Sequence, residues 1–573
     1  MNQKGLGFIV LVVAFVTFLY VVNTTPHEAG MLFINGTIYT LDPHNTIAEA
    51  IAIRGDRIVG VGTTADLQQN YQADTVIDLQ GKTVMPGFID GHAHMLNEGR
   101  LLYDLDLIGT QSPEQIVNLL AQRVQASKAG EWIFGRGWDQ NDWETKQYPS
   151  HDLLDRVAPN NPVILQRVDG HALWINQKAI ELAGITALTK DPEGGKIFRD
   201  ARGNATGIFV DDAMDSVYKV VPHFTDEEVE SRLKLAVQQC LKYGLTEVHD
   251  MGGAFDHWGV DLQTIRVYKK LIDKGEWPIR IYAVLDRSDE TWNYYRERGP
   301  EVGYGNEMLT VRAIKLFIDG AMGSRGAAMF QAYNDDPGNR GFTRMSEQEM
   351  DTICGQALKK GFQVCVHAIG DRGNHIILNE YEKILKRLPK ESPSARWRIE
   401  HAQVLSPTDI PRFNQLGVLP SMQPTHATSD MYWAEDRLGP ERVKGAYAWR
   451  SVLQTGSLIV GGSDFPVEGV NPIWGFFAAF TRSDKSGYPQ DGWHPEQKMT
   501  REEAARCFTQ WAAYGSFEEN TKGTIEVGKW ADLTILSKDI MQVSPAEVLN
   551  TEVEMTIVGG KIVYQKTLSV VVQ

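Results

Sequence analysis

Eight short apolar segments restrict the fold of this chain more than any other feature. They are Thr83–Ile89, Thr246–Asp250, Ile279–Leu285, Leu309–Ile318, Phe362–His367, Trp397–His401, Val418–Gln423 and Ser457–Asp464. Each is rich in β-branched or bulky apolar residues and reads as a buried strand. Helical patterns such as Glu228–Tyr243 and Glu347–Lys360 lie between several of them. Strand and helix in alternation mark parallel βα units. Eight such units predict an α/β chain with a TIM-type (β/α)8 barrel over residues 83–519.

The two ends have a different texture. From Met31 to about Asp78, and again over Gly523–Leu536 and Met555–Tyr564, short alternating strands are broken by Gly and Asp. These read as β-hairpins. The economical assembly is one small β-sandwich built from residues 30–82 and 520–573. The connection from Met95 to about Gly244 is far too long for a loop. It predicts an inserted subdomain, 95–235, expected to cap the barrel mouth. Its Trp132, Trp138, Trp143 and Trp174 fit either a local core or contacts to substrate.

The 573 residues carry a net charge of −16. Nucleic acid is thereby disfavoured as a partner, because phosphate binding needs clustered cations. Cys240, Cys354, Cys365 and Cys507 form no metal or redox spacing, so free buried thiols are expected. Lys4 precedes the uncharged run Leu6–Val22. That length lies between a signal-peptide core and a full membrane span. With no clear small-x-small cleavage site before Gly30, residues 1–29 are expected to be an uncleaved signal anchor. The body would then be exported, membrane-anchored or periplasmic; a cleaved signal is the alternative. A homo-oligomer is compatible with these observations.

Functional groups of a barrel sit at the C-terminal ends of its strands. The first strand runs into Asp90-Gly91-His92-Ala93-His94, and strand alternation would aim His92 and His94 at one point. The fifth strand ends at His367, the sixth at His401 and the eighth at Asp464, while the fourth carries Lys315. Imidazoles and a carboxylate on one rim suit a divalent metal. Lys315 has apolar neighbours. It would either pair with Asp319 or form a carbamate, an anionic group able to bridge two ions. The Gly320, Gly323 and Gly326 spacing lacks the Lys-Ser/Thr ending of a phosphate loop and reads as a turn.

Val84-Met85-Pro86-Gly87-Phe88-Ile89-Asp90-Gly91-His92-Ala93-His94 and Gly528-Lys529-Trp530-Ala531-Asp532-Leu533 resemble the opening and closing motifs of the amidohydrolase superfamily. Gly135-Arg136-Gly137-Trp138-Asp139, Asp169-Gly170-His171-Ala172, Asp319–Gly326 and Ser421–His426 are similar to its subgroup 3, the branch that includes N-substituted formamide deformylase. The resemblance implies that His92, His94 and Asp464 hold one ion, and that His367 and His401 hold a second. Zn²⁺ is the default, one or two ions per chain, with carboxylated Lys315 bridging. It further implies a hydrolase that cleaves an amide or N-substituted formamide of a small molecule by attack of metal-activated hydroxide, with Asp464 shuttling the proton. His171, Arg325 and His426 are candidates for substrate contact. The same centre could serve an ester, lactone or phosphoester. A non-catalytic exported binding or regulatory protein is the alternative from another class.

Overall fold

The computed structural model describes residues 26–566 apart from 168–171, 193–194, 212 and 254–258. The run Leu6–Val22 therefore lies outside the described residues. Among the described residues, no helix is long and apolar enough to cross a membrane. The chain forms two compact units. One comprises Met1–His94, Val237–Gly252 and His257–Gln573; the other comprises Met95–Ala236 and Gly253–Asp256.

The first unit contains a parallel barrel sheet. Its strands are β1 (Phe88–Ala93), β2 (Leu245–Asp250), β3 (Arg280–Leu285), β4 (Leu309–Phe317), β5 (Gln363–Ala368), β6 (Arg398–His401), β7 (Leu419–Met422) and β8 (Val460–Gly461). They are hydrogen-bonded in that order. Beyond β8 the Asp464 amide donates to the His92 carbonyl at 2.7 Å, and the His94 amide donates to the Phe465 carbonyl at 2.9 Å. These bonds tie the last strand's end to the first. Gly91 is required at that seam, since a Cβ there would lie 2.6 Å from the Gly461 carbonyl oxygen.

The helices follow ordinary rules. Glu347–Lys360 starts with a capping box between Ser346 and Glu349 and ends at Gly361, whose φ of 82° is left-handed. Its Met350, Cys354, Ala357 and Leu358 recur at helical spacing and are buried.

One expected strand proves to be two. Thr83–Ile89 breaks at Gly87, where a Cβ would collide with the Thr246 side chain. The first half, Thr83–Pro86, leaves the barrel and pairs with Thr37–Tyr39 on one side and Leu533–Leu536 on the other. Segments from both ends of the chain thus share one sheet. That sheet and the sheet containing His27–Ile34 and Ala50–Arg54 bury a common core of Phe33, Ile38, Ile51, Val84, Leu533 and Ile557. All four cysteines are buried.

The second unit is built on a six-stranded mixed sheet. Trp138, Trp143 and Trp174 are fully buried in its core together with Leu107, Ile116 and Leu165. Their ring centroids lie 5.9–6.3 Å apart. Trp132 stacks on Phe134 beside a second apolar cluster. Of the two expectations for these tryptophans, Trp138 and Trp174 meet the first: they form the local core.

Candidate metal centre

The strand ends of the first unit bring the candidates together around Asp464. His94 Nε2 lies 3.1 Å and His92 Nε2 3.5 Å from Asp464 Oδ1. His426 Nε2 lies 3.6 Å from Oδ2. The His92 and His401 rings are 4.8 Å apart and the His401 and His367 rings 4.6 Å apart. His92, His401 and Asp464 each bring one ligand atom within 4.8 Å of the others. This set draws His92 and Asp464 from the first ligand group that the resemblance implies and His401 from the second. A cavity of about 430 Å³ opens onto these residues and is also lined by Lys315, Met322, Trp433 and Val467.

The backbone explains how neighbouring residues reach one point. In β6, alternation places Arg398 and Glu400 on one face and would turn His401 to the other. His401 instead takes a left-handed φ of 70°, and Asp464 does the same at 63°. For non-glycine residues such conformations cost about 1–3 kcal/mol each and concentrate at functional sites. Buried Asp90 supports this end of the barrel. Its carboxylate accepts from the His92 amide at 3.1 Å and from the Ser463 amide and hydroxyl at 3.0 and 2.6 Å. Burial pushes its carboxyl up to about 7.

Three imidazoles have the same tautomer imposed on them. Nδ1 of His92 faces Glu400 Oε2 at 2.5 Å, Nδ1 of His94 the Gly252 carbonyl at 2.6 Å, and Nδ1 of His401 the Gln423 Oε1 at 2.8 Å. Each partner accepts there, so the proton sits on Nδ1 and the lone pair on Nε2. Burial also disfavours protonation. It brings His92 down to about 3, with help from the Lys315 charge, and holds His367 and His401 well below the ordinary imidazole range. Burial works to raise Asp464, but the imidazoles of His92, His94 and His401 around it outweigh that and keep the carboxylate ionised. Neutral imidazoles with their lone pairs on Nε2 beside a carboxylate are the protonation states a divalent cation requires. His426 Nε2 is buried without a hydrogen-bond partner among the described residues. The residues present fit a metal.

Lys315 differs from one of its two expected readings. Asp319 does not take up its charge. The Asp319 carboxylate is occupied by the amides of Ala328, Ile369 and Gly370 at 2.8–3.0 Å. The Lys315 amine instead lies 3.4 Å from His92 Nε2. Burial lowers its pKa, opposed by the charges of Glu400 and Asp464.

One other candidate falls away from the centre. Arg325 is bound by Asp335, with Nε and Nη2 at 3.1 and 2.9 Å, and does not line the cavity. His171 lies outside the described residues. The Gly320–Gly326 segment closes on itself as a turn, the Gly326 amide donating to the Ala321 carbonyl at 2.9 Å. Glu400 and Gln423, which hydrogen-bond His92 and His401, and Arg398, which holds Glu400, are not strand-end donors of the expected kind. The signal for two of them was present: an arginine and a glutamate two residues apart in a buried strand must be paired.

The chain matches the family described as Amidohydrolase family over residues 75–564. It is 33% identical over 540 residues to YtcJ of Bacillus subtilis (strain 168), spanning 93% of this chain and 99% of that protein. It is 26% identical over 560 residues to N-substituted formamide deformylase of Arthrobacter pascens, spanning 94% and 98%. The crystal structure of an uncharacterized metal-dependent hydrolase from Pyrococcus furiosus is similar at a TM-score of 0.74 and 28% identity, covering 89% of this chain and 100% of that one.

Proposed function

Because the chain belongs to the amidohydrolase family, we propose that this hydrolase cleaves a non-peptide carbon–nitrogen bond, an amide or N-substituted formamide of a small molecule. One observation carries the reading: His92, His401 and Asp464 converge within 4.8 Å at a cavity, with the Nδ1 atoms of His92 and His401 held by Glu400 and Gln423 behind them. The similarity to a formamide deformylase along 94% of the chain supports the bond class.

His92, His94 and Asp464 would hold one divalent ion, and His367 and His401 a second, with Zn²⁺ suiting the donors. Lys315, buried beside His92, would bridge as a carbamate. When bound, such an ion supplies Lewis acidity toward a carbonyl oxygen and acidifies water. Asp464 accepts the proton of the attacking water. As the C–N bond breaks, it passes that proton to the departing nitrogen, leaving a carboxylate (formate from a formamide) and an amine. His426 Nε2, unpartnered and 3.6 Å from Asp464, is suited to donate to the carbonyl oxygen as charge develops there. Met322, Trp433 and Val467 give the cavity an apolar side, which favours an apolar substituent on the nitrogen.

The test is a panel of N-substituted formamides, larger amides and their ester counterparts, with released amine, acid and alcohol measured. Hydrolysis of the formamides or amides that disappears with chelation is expected. Hydrolysis of esters alone would overturn the carbon–nitrogen assignment. Elemental analysis of the wild type and Lys315→Ala tests the bridge: two ions falling on substitution support it, and one unchanged ion removes it.

A further inference from the structure

The three Nδ1 acceptors behind the site are chemically unequal. His94 has a backbone carbonyl and His401 a neutral amide, whereas His92 has the carboxylate of Glu400 at 2.5 Å. Both Glu400 and His92 are buried, at 0% and 1% side-chain exposure. A carboxylate held against an imidazole N–H in a dry interior fixes the ring more firmly than a neutral acceptor. It also makes the opposite nitrogen a stronger donor.

Glu400 is itself held by a cation. Arg398 Nε lies 2.8 Å from Glu400 Oε1, and Arg398 Nη2 donates to Oε2 at 3.1 Å. The same guanidinium donates to His249 Nδ1 on β2 at 2.9 Å, to the Gly91 carbonyl on β1 at 2.5 Å and to Ser421 Oγ on β7 at 2.8 Å. His249 accepts at Nδ1 and turns Nε2 toward Glu247 Oε1 at 3.3 Å. One arginine therefore links its own strand to three others directly beneath His92. The barrel bears the desolvation of a fully buried ion pair at this layer. Such pairs stabilise poorly compared with apolar packing of equal volume, so stability alone does not account for it.

We propose that Glu400 is the positioning residue of the metal centre: it locks His92 as the Nδ1–H tautomer, aims its Nε2 lone pair into the site and makes His92 the strongest imidazole donor there, with Arg398 fixing Glu400 for that task. The inference rests on the metal-dependent reading above. Its measurements use metal binding and ring protonation, so it can fail while amide hydrolysis stands.

The first measurement uses the unaltered chain without metal. Ring-¹⁵N-histidine NMR, with His92 assigned by its loss in His92→Asn, should show a proton on Nδ1 in a strong hydrogen bond. A proton on Nε2 would overturn the proposal. The second measurement titrates Zn²⁺ against a chelator for the wild type, Glu400→Asp and the double variant Glu400→Gln/Arg398→Met. Glu400→Asp keeps the charge for Arg398 but draws it back from His92 by one methylene. The double variant removes both charges, so neither is left buried alone. A loss of about 10–100-fold in Zn²⁺ affinity is expected in both, as for other carboxylates behind ligating histidines. A kcat loss with unchanged KM should accompany it. Lower melting temperatures of the metal-free variants with Zn²⁺ affinity within two-fold of wild type would assign Glu400 a structural role only and overturn the proposal. If neither variant folds, the NMR result on the unaltered chain decides it alone.

Discussion

Two interiors of this molecule are equally dry and chemically opposite. In the second unit, Trp138, Trp143 and Trp174 are 0–1% exposed. Their indole N–H groups donate to the carbonyls of Leu165, Thr110 and Ser150 at 2.8–3.2 Å. In the barrel, Arg398 and Glu400 are 0% exposed and face His92 and His249. The tryptophan core stabilises by removing apolar area from water. The barrel layer gives up part of that gain to hold charges, and those charges hold the His92 ring. Burial alone therefore does not tell a structural residue from one that serves the site; the partner of its polar atoms does.

Substitutions can separate the two kinds of interior. The largest effect is expected from Asp464→Asn, which would remove the proton acceptor proposed above. Turnover should fall about 10²–10⁴-fold, read as amine release, while the chain keeps its melting temperature. Trp174→Ala should do the reverse. It should cost about 3–5 kcal/mol of stability, read from urea unfolding, with metal content per folded chain unchanged. A loss of metal in Trp174→Ala would break the distinction between the two interiors.

Smaller effects sharpen it. Trp433→Ala removes an apolar side of the cavity. It should shift kcat/KM between bulky and small N-substituents by about 10-fold, the order expected for apolar pocket contacts. Glu98 provides a buried carboxyl of a third kind, pushed up to about 7 by burial alone. A carboxyl raised in the folded state binds its proton more tightly there than in the unfolded chain. Its burial therefore costs stability progressively as pH rises from the ordinary glutamate range, about 4.3, to about 7. Glu98→Gln should flatten that decline, measured as urea midpoints at pH 5 and pH 8. The smallest effect is expected for Arg325→Ala. Its exposed pair with Asp335 lies off the cavity, so kcat and KM should not change.

Much of this architecture can be read from residue patterns. The barrel strands are apolar runs, and their C-terminal ends carry His92, His94, His367, His401 and Asp464. Strand period and residue type suffice for that, because both are local. The break at Gly87 was hidden, since Thr83–Pro86 and Phe88–Ala93 are equally apolar and only the Thr246 side chain, far along the chain, separates them. Arg325 looked like a site residue by its motif, but Asp335 claims it. Lys315 looked like a partner for Asp319 by proximity in sequence. Three backbone amides had already satisfied that carboxylate.

By itself the sequence determined the alternation that builds the barrel and the chemical identity of the donors, because strand propensity and ligand type belong to single residues and their neighbours. Only the tertiary structure decided which donors converge and which nitrogen each presents. His92 and Glu400 stand 308 positions apart and meet at 2.5 Å because barrel closure brings β1 beside the sheet's last strands. His401 turns into the site because its backbone is left-handed at φ 70°. Both depend on long-range packing that over-determines a strained local geometry, and no local pattern encodes that.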